Sequence, residues 1–534
     1  MRKASLYFFL AFPFFAWAQQ GWMPLGRIVD APYSALMRSS KSDVALHSSI
    51  RPYAREDLKL LAVPDSLLSN AWKPWLDSIT NPQNRISGGP LVEALVGASF
   101  GDNDLMKYRV GLGGWLDWSA TSRLTFHMDV MGFGETMPNY LDSLAIKVDV
   151  TPGEGFAYGG PTYTHHDWNA YVDYKASKYF HFTLGRGKHF FGEGVRSLFL
   201  SDNAYSYPYL KITTTAWKIR YVNLFSAMSD IRGTGGTWNQ FDLKFTSMHY
   251  LSWNALKRLN VSIFEAIVWQ DNDPNYRRGF DVNYLNPVLF YRPTEFSLGS
   301  PDNALLGFAV NVRVGKHALL YSQLMFDEFL LSNVRAGEGW FGNKQGLQLG
   351  VVGHDAFKIE GLMLRAEFDY VRPFMYTHSD TRQNYAHFNQ PLAHPYGSNF
   401  WEAIAQGEFR KKRLVLSDLL SVAMLGEDTG STAYSSYGNN LFLPESARPL
   451  RDGVRPDDYG YFLAQPSSAI LYHNELRAGW LLEPRSGLML EASLTTRVRT
   501  PERGEGLVTN FFRIGISANL RDRHPFQDAR YSLE

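Results

Sequence analysis

The sequence contains no cysteine among its 534 residues, so it can form no disulfide and carry no lipid anchor on a thiol. It also lacks a strong charge of either sign, because 53 basic and 52 acidic side chains leave a formal net charge of +1. No basic run is longer than Arg410 to Arg413. Since a basic patch is the footprint of nucleic-acid binding, the charge pattern predicts no nucleic-acid partner.

Long apolar runs are missing too, and the mean hydropathy is −0.25. The apolar stretch from Ala4 to Phe15 is shorter than the roughly 20 residues of a membrane-spanning helix. It follows a basic pair at residues 2–3 and precedes the A-x-A sequence of residues 16–18. We therefore expect residues 1–18 to be a signal peptide and the mature chain to be exported.

Alternating apolar and polar residues dominate the chain from about residue 90 onward, as expected for β-strands with one apolar face. In residues 362–370 the apolar side chains are Leu362, Leu364, Ala366, Phe368 and Tyr370, and those between them are Met363, Arg365, Glu367 and Asp369. Residues 124–130, 488–498 and 512–520 repeat the pattern. Aromatic residues, at 15% of the chain, also favour β-structure.

The spacing of the strands distinguishes a soluble sandwich from a membrane barrel. The pattern predicts eighteen strands near residues 90–101, 106–118, 121–133, 166–176, 179–188, 209–215, 217–228, 239–250, 258–269, 305–314, 317–327, 345–353, 362–371, 399–409, 413–425, 469–481, 487–498 and 509–520. Tight turns alternate with long loops, which would all lie at one end. We therefore predict an all-β, transmembrane antiparallel β-barrel over residues 90–520, in a Gram-negative outer membrane with long loops extracellular.

Two terminal segments do not fit the barrel pattern. Residues 19–89 contain short helix-like turns at 55–61 and 65–70, with prolines between them, and are too short for a substantial core of their own. We expect a short, partly helical periplasmic segment that either plugs the barrel mouth or forms a flexible leader. Residues 521–534 form a C-terminal tail.

A glycine-rich stretch, "LGRGKHFFGEGVRSLFLSDNAYSYP" at residues 184–208, resembles a phosphate-binding loop at first sight. The Walker pattern fails, because Lys188 is followed by His189 and no helix pattern follows. The mixed charges of the stretch are candidates for carbohydrate binding: Arg186, Lys188, Arg196 and Asp202. The alternative interpretation is a loop folded into the lumen and held there by salt bridges.

Two further loops combine aromatic faces with planar polar groups, which suit sugar C–H surfaces and hydroxyls. Candidates in and beside the first are Tyr291, Arg292, Glu295, Asp302 and Asn303. Candidates in and beside the second are Asn384, Tyr385, His387, His394 and Trp401. Hydrogen bonding between loops that closes the pore is the alternative for both sets.

Catalytic motifs receive little support. Ser99 lies in a G-x-S-x-G sequence, yet another strand pattern follows where a nucleophile elbow needs a helix. The histidines lack the H-E-x-x-H spacing of a zinc site. We therefore predict a protein that is not an enzyme and that binds no cofactor or metal.

Several blocks resemble the Wzi-type capsule assembly family, in particular its RemB-like gliding motility branch. They are "LGRGKHFFGEGVRSLFLSDNAYSYPYLKITT", "YLNPVLFYRPTEFSLGSPDNALLGF", "DEFLL" with "GWFGNKQGLQLG", and "QNYAHFNQPLAHPYGSNFWE". The resemblance implies an eighteen-stranded barrel with a helical segment at its periplasmic mouth. It also implies a lectin-like role in holding capsular polysaccharide, without catalysis. The short N-terminal segment and the non-aromatic C-terminal end depart from the family pattern.

Three functions follow from these observations. The first is a barrel that binds surface or capsular polysaccharide, with outer-membrane lipid and other cell-envelope proteins as further partners. The second is an outer-membrane component of a gliding motility or secretion apparatus, which rests on the family branch alone. The third is a diffusion porin, which requires that the loops near residues 284–303 and 372–398 leave the lumen open.

Overall fold

The computed structural model describes residues 22–23, 25, 38, 46–54, 57, 86–101, 105–273, 276–288, 302–328, 330–428, 434–483 and 487–519. Several predictions lie outside the described residues. They are the signal peptide, the helix-like turns at 55–61 and 65–70 except Asp57, the C-terminal tail, and the candidate residues Tyr291, Arg292 and Glu295.

Eighteen antiparallel strands form one closed barrel, in which each strand pairs with the next along the chain. They are β1 Ile86–Phe100, β2 Met106–Ser119, β3 Leu124–Thr136, β4 Thr162–Lys175, β5 Phe180–Gly187, β6 Tyr207–Ala216, β7 Ile219–Asp230, β8 Asp242–Leu256, β9 Leu259–Gln270, β10 Asn303–Val314, β11 Ala318–Phe326, β12 Gln345–His354, β13 Leu362–Val371, β14 Phe400–Lys411, β15 Leu414–Glu427, β16 Ser467–Glu483, β17 Leu488–Pro501 and β18 Leu507–Ser517. Strand β18 closes the barrel on β1, where Ala98 pairs with Phe512. The predicted fold class is confirmed.

The two faces of the strands differ as the alternation predicts. In β13, Ala366 and Phe368 are exposed on the outer face, whereas Glu367 and Asp369 are buried on the inner face. Other outward-facing side chains form an exposed apolar band, with members such as Val96, Leu112, Leu184, Val310, Leu349 and Leu494. A closed barrel satisfies its backbone internally, so an outer face of this kind suits lipid.

Short turns and long connections alternate along the chain, as predicted. Short turns join the strands at one end, for example at residues 217–218, 315–317 and 412–413. Long connections lie at the other end, at residues 137–161, 188–206, 231–241, 271–302, 327–344, 372–399 and 428–466. Strand bounds differ from the predicted ones by a few residues, as at Ile86 and Thr162, which both precede the expected start.

Short helices lie in the long connections or the turns, and no helix among the described residues is long and apolar enough to cross a membrane. The α-helices are α1 Asn139–Val148 and α2 Leu331–Ala336. The 3-10 helices are Trp238–Gln240, Val282–Leu285, Ala356–Lys358, Thr381–Gln383 and Glu445–Ala447. Two-residue strands are Ile50–Arg51, Tyr158–Gly159, Phe190–Phe191, Asn272–Asp273, Tyr276–Arg277, Ala386–His387, Gln390–Pro391, Leu450–Arg451 and Arg455–Pro456.

Helix α1 shows how a long connection is anchored at the rim. It starts after Pro138, whose fixed φ suits a helix entry. Its apolar residues recur on one face and are buried against Tyr163 and Phe156 of the following segment. Asp149 ends the helix in the left-handed conformation, and its backbone N–H donates to Ala145 O.

The main hydrophobic cluster lies inside the barrel. Two long connections, 188–206 and 372–399, are buried along almost their whole length and pack against inward-facing wall residues. Phe199 stacks on Phe264 of β9 with ring centroids 5.0 Å apart. The lumen of this barrel is therefore a packed core rather than an open channel in the region that the structure describes.

Parts of the N-terminal segment join this core. Ile50 and Arg51 pair as a short antiparallel ladder with Phe191 and Phe190. His47 Nδ1 lies 2.8 Å from Ser252 Oγ on the inner face of β8. Residues 46–54 therefore lie against the loop 188–206 and the inner wall.

Candidate functional site

The loop 188–206 is fixed to the wall by buried charges. The Arg196 guanidinium donates to both carboxylate oxygens of Glu402 in β14, at 3.0 and 2.9 Å, and neither side chain reaches solvent. The backbone N–H groups of Val195 and Arg196 donate to the Glu367 carboxylate at 2.8 Å each. Tyr321 OH donates to the same carboxylate at 2.6 Å. Buried carboxylates need such partners, so these contacts define one position for the loop.

The loop 372–399 lies on the first loop and is hydrogen-bonded to it. Tyr376 OH and Tyr385 OH donate to the backbone carbonyls of Leu198 and Phe199, both at 2.8 Å. His394 Nε2 lies 2.7 Å from Glu402, so it shares the carboxylate that binds Arg196. Two connections about 190 residues apart in sequence thus close the lumen together.

Most candidate residues in these loops have protein partners. Lys188 Nζ donates to the backbone carbonyls of Gly153 and Asp202. The Asn384 amide donates to Leu441 O at 2.9 Å and accepts from Lys244 Nζ at 2.6 Å. The candidates that are buried are Lys188, Arg196, Asn384, Tyr385, His387 and His394. The geometry favours the alternative interpretation, in which the charges and amides hold the loops; a direct role in sugar binding stays a prediction.

Three further candidates, Arg186, Asp302 and Asn303, also have protein partners. Arg186 is half-buried, and its guanidinium lies over the rings of Trp168 and Tyr205, 4.8 and 4.6 Å from their centroids. Asp302 accepts from Arg278 and Tyr284 at 2.7 and 2.6 Å. The neighbouring Asn303 is buried and donates to Gln383 O at 3.0 Å.

Trp401 lies on the outer face of the barrel, away from the loop core. It pairs with Tyr370 across the β13–β14 ladder and stacks on Phe368, an exposed outer-face residue. The structure therefore does not bring Trp401 together with Asn384, Tyr385 and His387, because alternate residues of a strand point to opposite faces.

The buried histidines of the loop core are held neutral by their surroundings. Burial lowers the pKa of His387 well below its ordinary value, and Arg186 lowers it further. Its Nδ1 accepts from the Ser229 N–H at 2.9 Å, which requires an unprotonated nitrogen. Burial also lowers the pKa of His394, against the opposing effect of Glu402.

Two acid–histidine groups have the ligand types of a metal site. They are Glu135 with Glu154 and His165, and Asp369 with His394 and Glu402. Each already contains an internal cation: Arg109 donates to Glu135 and Glu154 at 2.8 Å, and Arg196 donates to Glu402. The arginine in each group supplies the positive charge that a metal ion would otherwise bring.

Two exposed aromatic residues at the long-loop end, Trp238 and Tyr158, are not singled out by the sequence pattern. Trp238 is 80% exposed, and Tyr158 is 41% exposed beside the buried Phe156. Tyr158 OH donates to Gly236 O at 3.2 Å. Gly236 has a φ of 78°, and a Cβ there would lie 2.8 Å from the Tyr158 ring, so only glycine fits. The sequence "TGGTWNQ", a tryptophan behind a glycine pair, was the available signal.

The fold and the packed lumen define the class of protein, a closed outer-membrane-type β-barrel with two of its long loops, 188–206 and 372–399, folded inward. No family model and no curated protein sequence matches the chain. Among solved structures it is similar to Wzi of Escherichia coli, described as a carbohydrate-binding β-barrel involved in group 1 capsule assembly. The TM-score is 0.55 at 12% identity, over 93% of this chain and 100% of that one.

Porins of Pseudomonas aeruginosa also match. OprD gives a TM-score of 0.41 at 9% identity, over 81% of this chain and 94% of that one. OccK8 (OprE) gives 0.41 at 8% identity, over 80% and 97%. All these likenesses concern the fold.

Proposed function

We propose that the protein is a non-enzymatic outer-membrane barrel that binds surface polysaccharide through its long-loop end. The observation that carries this proposal is the combination of a packed lumen with exposed aromatic rings above it. Cavities of about 20 and 10 Å³ between the described lumen residues have room for water but not for a sugar. We therefore propose that a ligand as large as a polysaccharide binds at the rim.

The chemistry of the rim suits a sugar polymer. Trp238 and Tyr158 offer apolar ring faces to sugar C–H surfaces, and Asn239 and Gln240 place planar amides beside the tryptophan. Arg186, Asp202 and Asp302 are further candidate contacts near the rim. Tyr291, Arg292 and Glu295 stay candidates from the sequence alone. The carbohydrate binding of the similar Wzi structure supports the same function.

The packed lumen also argues against a diffusion porin, since the loop 372–399 folds inward. Residues 46–54, which lie on the loop 188–206, are proposed to close the barrel at its short-turn end. Neither the fold nor the similar structures favour the motility alternative. The long loops are proposed to be extracellular, as polysaccharide binding requires.

Polysaccharide retention tests the proposal. A deletion strain should synthesise and export its capsular polysaccharide but release more of it into the medium, and the wild-type gene should restore retention. The double variant Trp238→Ala with Tyr158→Ala should restore it only in part, because multivalent contacts along a polymer soften the loss of one site.

A matched control is available in Trp217, which is 72% exposed in a short turn at the opposite end. Trp217→Ala should restore retention fully. Normal retention in the deletion strain would refute the proposed function. Normal retention in the double variant alone would refute only the choice of Tyr158 and Trp238.

A further inference from the structure

One arginine of the barrel wall faces outward without a counter-charge. Arg186, near the end of β5, points to the outer face, because its ladder partners Ala170 and Pro208 lie there. The buried Arg109 and Arg196 each bind buried carboxylates. In the region that the structure describes, by contrast, Arg186 forms no ion pair, and its Nε is buried without a hydrogen-bond acceptor. Its positive charge is therefore not neutralised within the described protein.

Two aromatic rings hold the Arg186 guanidinium on the side of the long loops. It lies 4.8 Å from the ring centroid of Trp168 and 4.6 Å from that of Tyr205. Trp168 is two residues nearer the long-loop end of β4 than Ala170, the residue that pairs with Arg186. His166 is two residues further along the same outer face and is exposed. The guanidinium and the His166 imidazole therefore border the same small area of the wall.

The wall beside His166 is open. Gly132 pairs with His166, and Gly134 pairs with Thr164, across the β3–β4 ladder. A Cβ placed on either glycine would meet no atom within 4 Å. On the other side of Gly132 stands Leu112, which is 66% exposed. The result is a shallow notch with basic groups on one side and an apolar side chain on the other. We call it the outer notch and define it by Gly132, Gly134, His166, Trp168 and Arg186.

The outer notch lies at the edge of the apolar band. Arg186 is six residues beyond Phe180, the first residue of β5, which at ~3.3 Å per residue and a ~40° tilt corresponds to roughly 15 Å. His166 lies four residues beyond Ala170 along β4, so it is roughly 10 Å higher. Because the band is roughly 25 Å tall, Arg186 starts inside it and His166 is at its long-loop edge. Long basic side chains at such positions extend toward the polar headgroups of the lipid.

We propose that the outer notch binds a phosphate group of an outer-leaflet lipid, which in a Gram-negative outer membrane is lipid A. The ligand must bring the negative charge that Arg186 lacks, and a phosphate suits the planar guanidinium because it accepts two parallel hydrogen bonds. It must also lie at the edge of the apolar band, where lipid headgroups are. The acyl chains of the same lipid can then pack on exposed apolar residues such as Leu112 and Val130.

This inference goes beyond polysaccharide binding. It rests on the proposed orientation of the barrel, in which the long-loop end contacts the outer leaflet. The binding experiments below contain no polysaccharide, so their outcome is independent of the retention assay.

Binding of lipid A to the purified full-length protein in detergent tests the proposal, with native mass spectrometry as the measurement. Lipid A should bind several-fold more tightly than dephosphorylated lipid A. The double variant Arg186→Gln with His166→Gln should lower the affinity for lipid A about tenfold, because it removes the charge-assisted contacts. The control Lys316→Gln removes an exposed cation from a short turn at the opposite end and should leave the affinity unchanged.

Cysteine footprinting locates the bound lipid, because the chain contains no cysteine. Lipid A should slow the reaction of Gly132→Cys with N-ethylmaleimide several-fold, and the double variant should abolish this protection. The control Leu349→Cys, exposed on the outer face of β12, should react at the same rate with and without lipid A. Heat-modifiable gel migration confirms that each variant folds. If the double variant does not fold, protection of Gly132→Cys in the otherwise native chain decides.

Four results would overturn the proposal. Equal affinity for lipid A and its dephosphorylated form would show that only acyl chains bind. Tighter binding of phosphatidylglycerol, or competition by inorganic phosphate at the same concentration, would assign the notch to a phospholipid or to free phosphate. An equal loss in Lys316→Gln would indicate a long-range effect of charge. An unprotected Gly132→Cys would place the lipid elsewhere on the barrel.

Discussion

Arg196 and Glu402 form a buried bidentate ion pair across 206 residues of sequence, and this pair fixes the loop 188–206 to the wall strand β14. Glu402 also accepts from Ser421 Oγ and lies 2.7 Å from His394 Nε2. One carboxylate therefore holds both inward loops and the neighbouring strand. Because neither side chain reaches water, the charge of each depends on the other for its stabilisation.

Removal of one partner should destabilise the barrel. We expect Arg196→Met to cost about 3 to 5 kcal/mol, because it leaves Glu402 charged and buried. The double variant Arg196→Met with Glu402→Leu should recover much of that loss. The control Arg451→Met, in an exposed pair with Asp452, should change little. Urea unfolding in detergent measures all four proteins; equal midpoints for Arg196→Met and wild type would contradict the assigned role.

Acidification should loosen the loop 372–399 through His387. Its folded pKa lies well below the ordinary value of about 6.5, owing to burial first and then to Arg186, Lys244 and Lys188. The stability that neutral His387 contributes is therefore present above about pH 6.5 and is lost as the pH falls, since the opened loop takes up a proton that the closed loop excludes. The expected slope is about 1.4 kcal/mol per pH unit for each such histidine.

Amide hydrogen exchange of residues 384–392, corrected for the intrinsic effect of pH on the exchange rate, measures the opening of this loop. His387→Gln keeps a hydrogen-bond acceptor for Ser229 but does not titrate, so its exchange should depend less on pH. An unchanged pH dependence in His387→Gln would show that other groups, such as His394, open the loop.

The barrel could be predicted from the sequence because lipid imposes a period of two on every strand. The outer residues of β3, β13 and β17 had to be apolar whatever their neighbours, so each strand could be recognised alone. One strand departs from this alternation. Strand β9, "LNVSIFEAIVWQ", is apolar on both faces from Ala266 to Trp269, as expected for a strand that is covered on both sides.

The site could be predicted only in part, because its contacts join distant segments. The charges of the loop 188–206 suggested either a sugar site or salt bridges into the lumen, and only the position of Glu402 favours the second. The outward direction of Trp401 depends on the register of β14, which a shift of one residue would reverse. Exposure of Trp238 likewise depends on how the loop 231–241 folds, although its glycines were a usable signal.

Ion conductance should distinguish the packed lumen from a porin. The purified intact protein should give no channel steps in a planar bilayer, because both inward loops fill the barrel. Replacement of residues 379–393 by a short Gly-Ser linker should produce steps, since Tyr385 and Leu392 of this segment bind Phe199 and Ser201 of the other inward loop. The same replacement of residues 452–454, an exposed turn, should not. Steps from the intact protein would refute the closed lumen.

The orientation of the barrel should be readable from cysteine labelling, again because the native chain has none. Val454, which is exposed in the long connection 428–466, and Lys316, which is exposed in a short turn, lie at opposite ends. We expect a membrane-impermeant maleimide to label Val454→Cys on intact cells, and Lys316→Cys only after the outer membrane is permeabilised, because long loops of such barrels face outward. Labelling of Lys316→Cys on intact cells, with Val454→Cys protected, would invert the orientation. It would also remove Tyr158 and Trp238 from the cell surface, and the polysaccharide proposal with them.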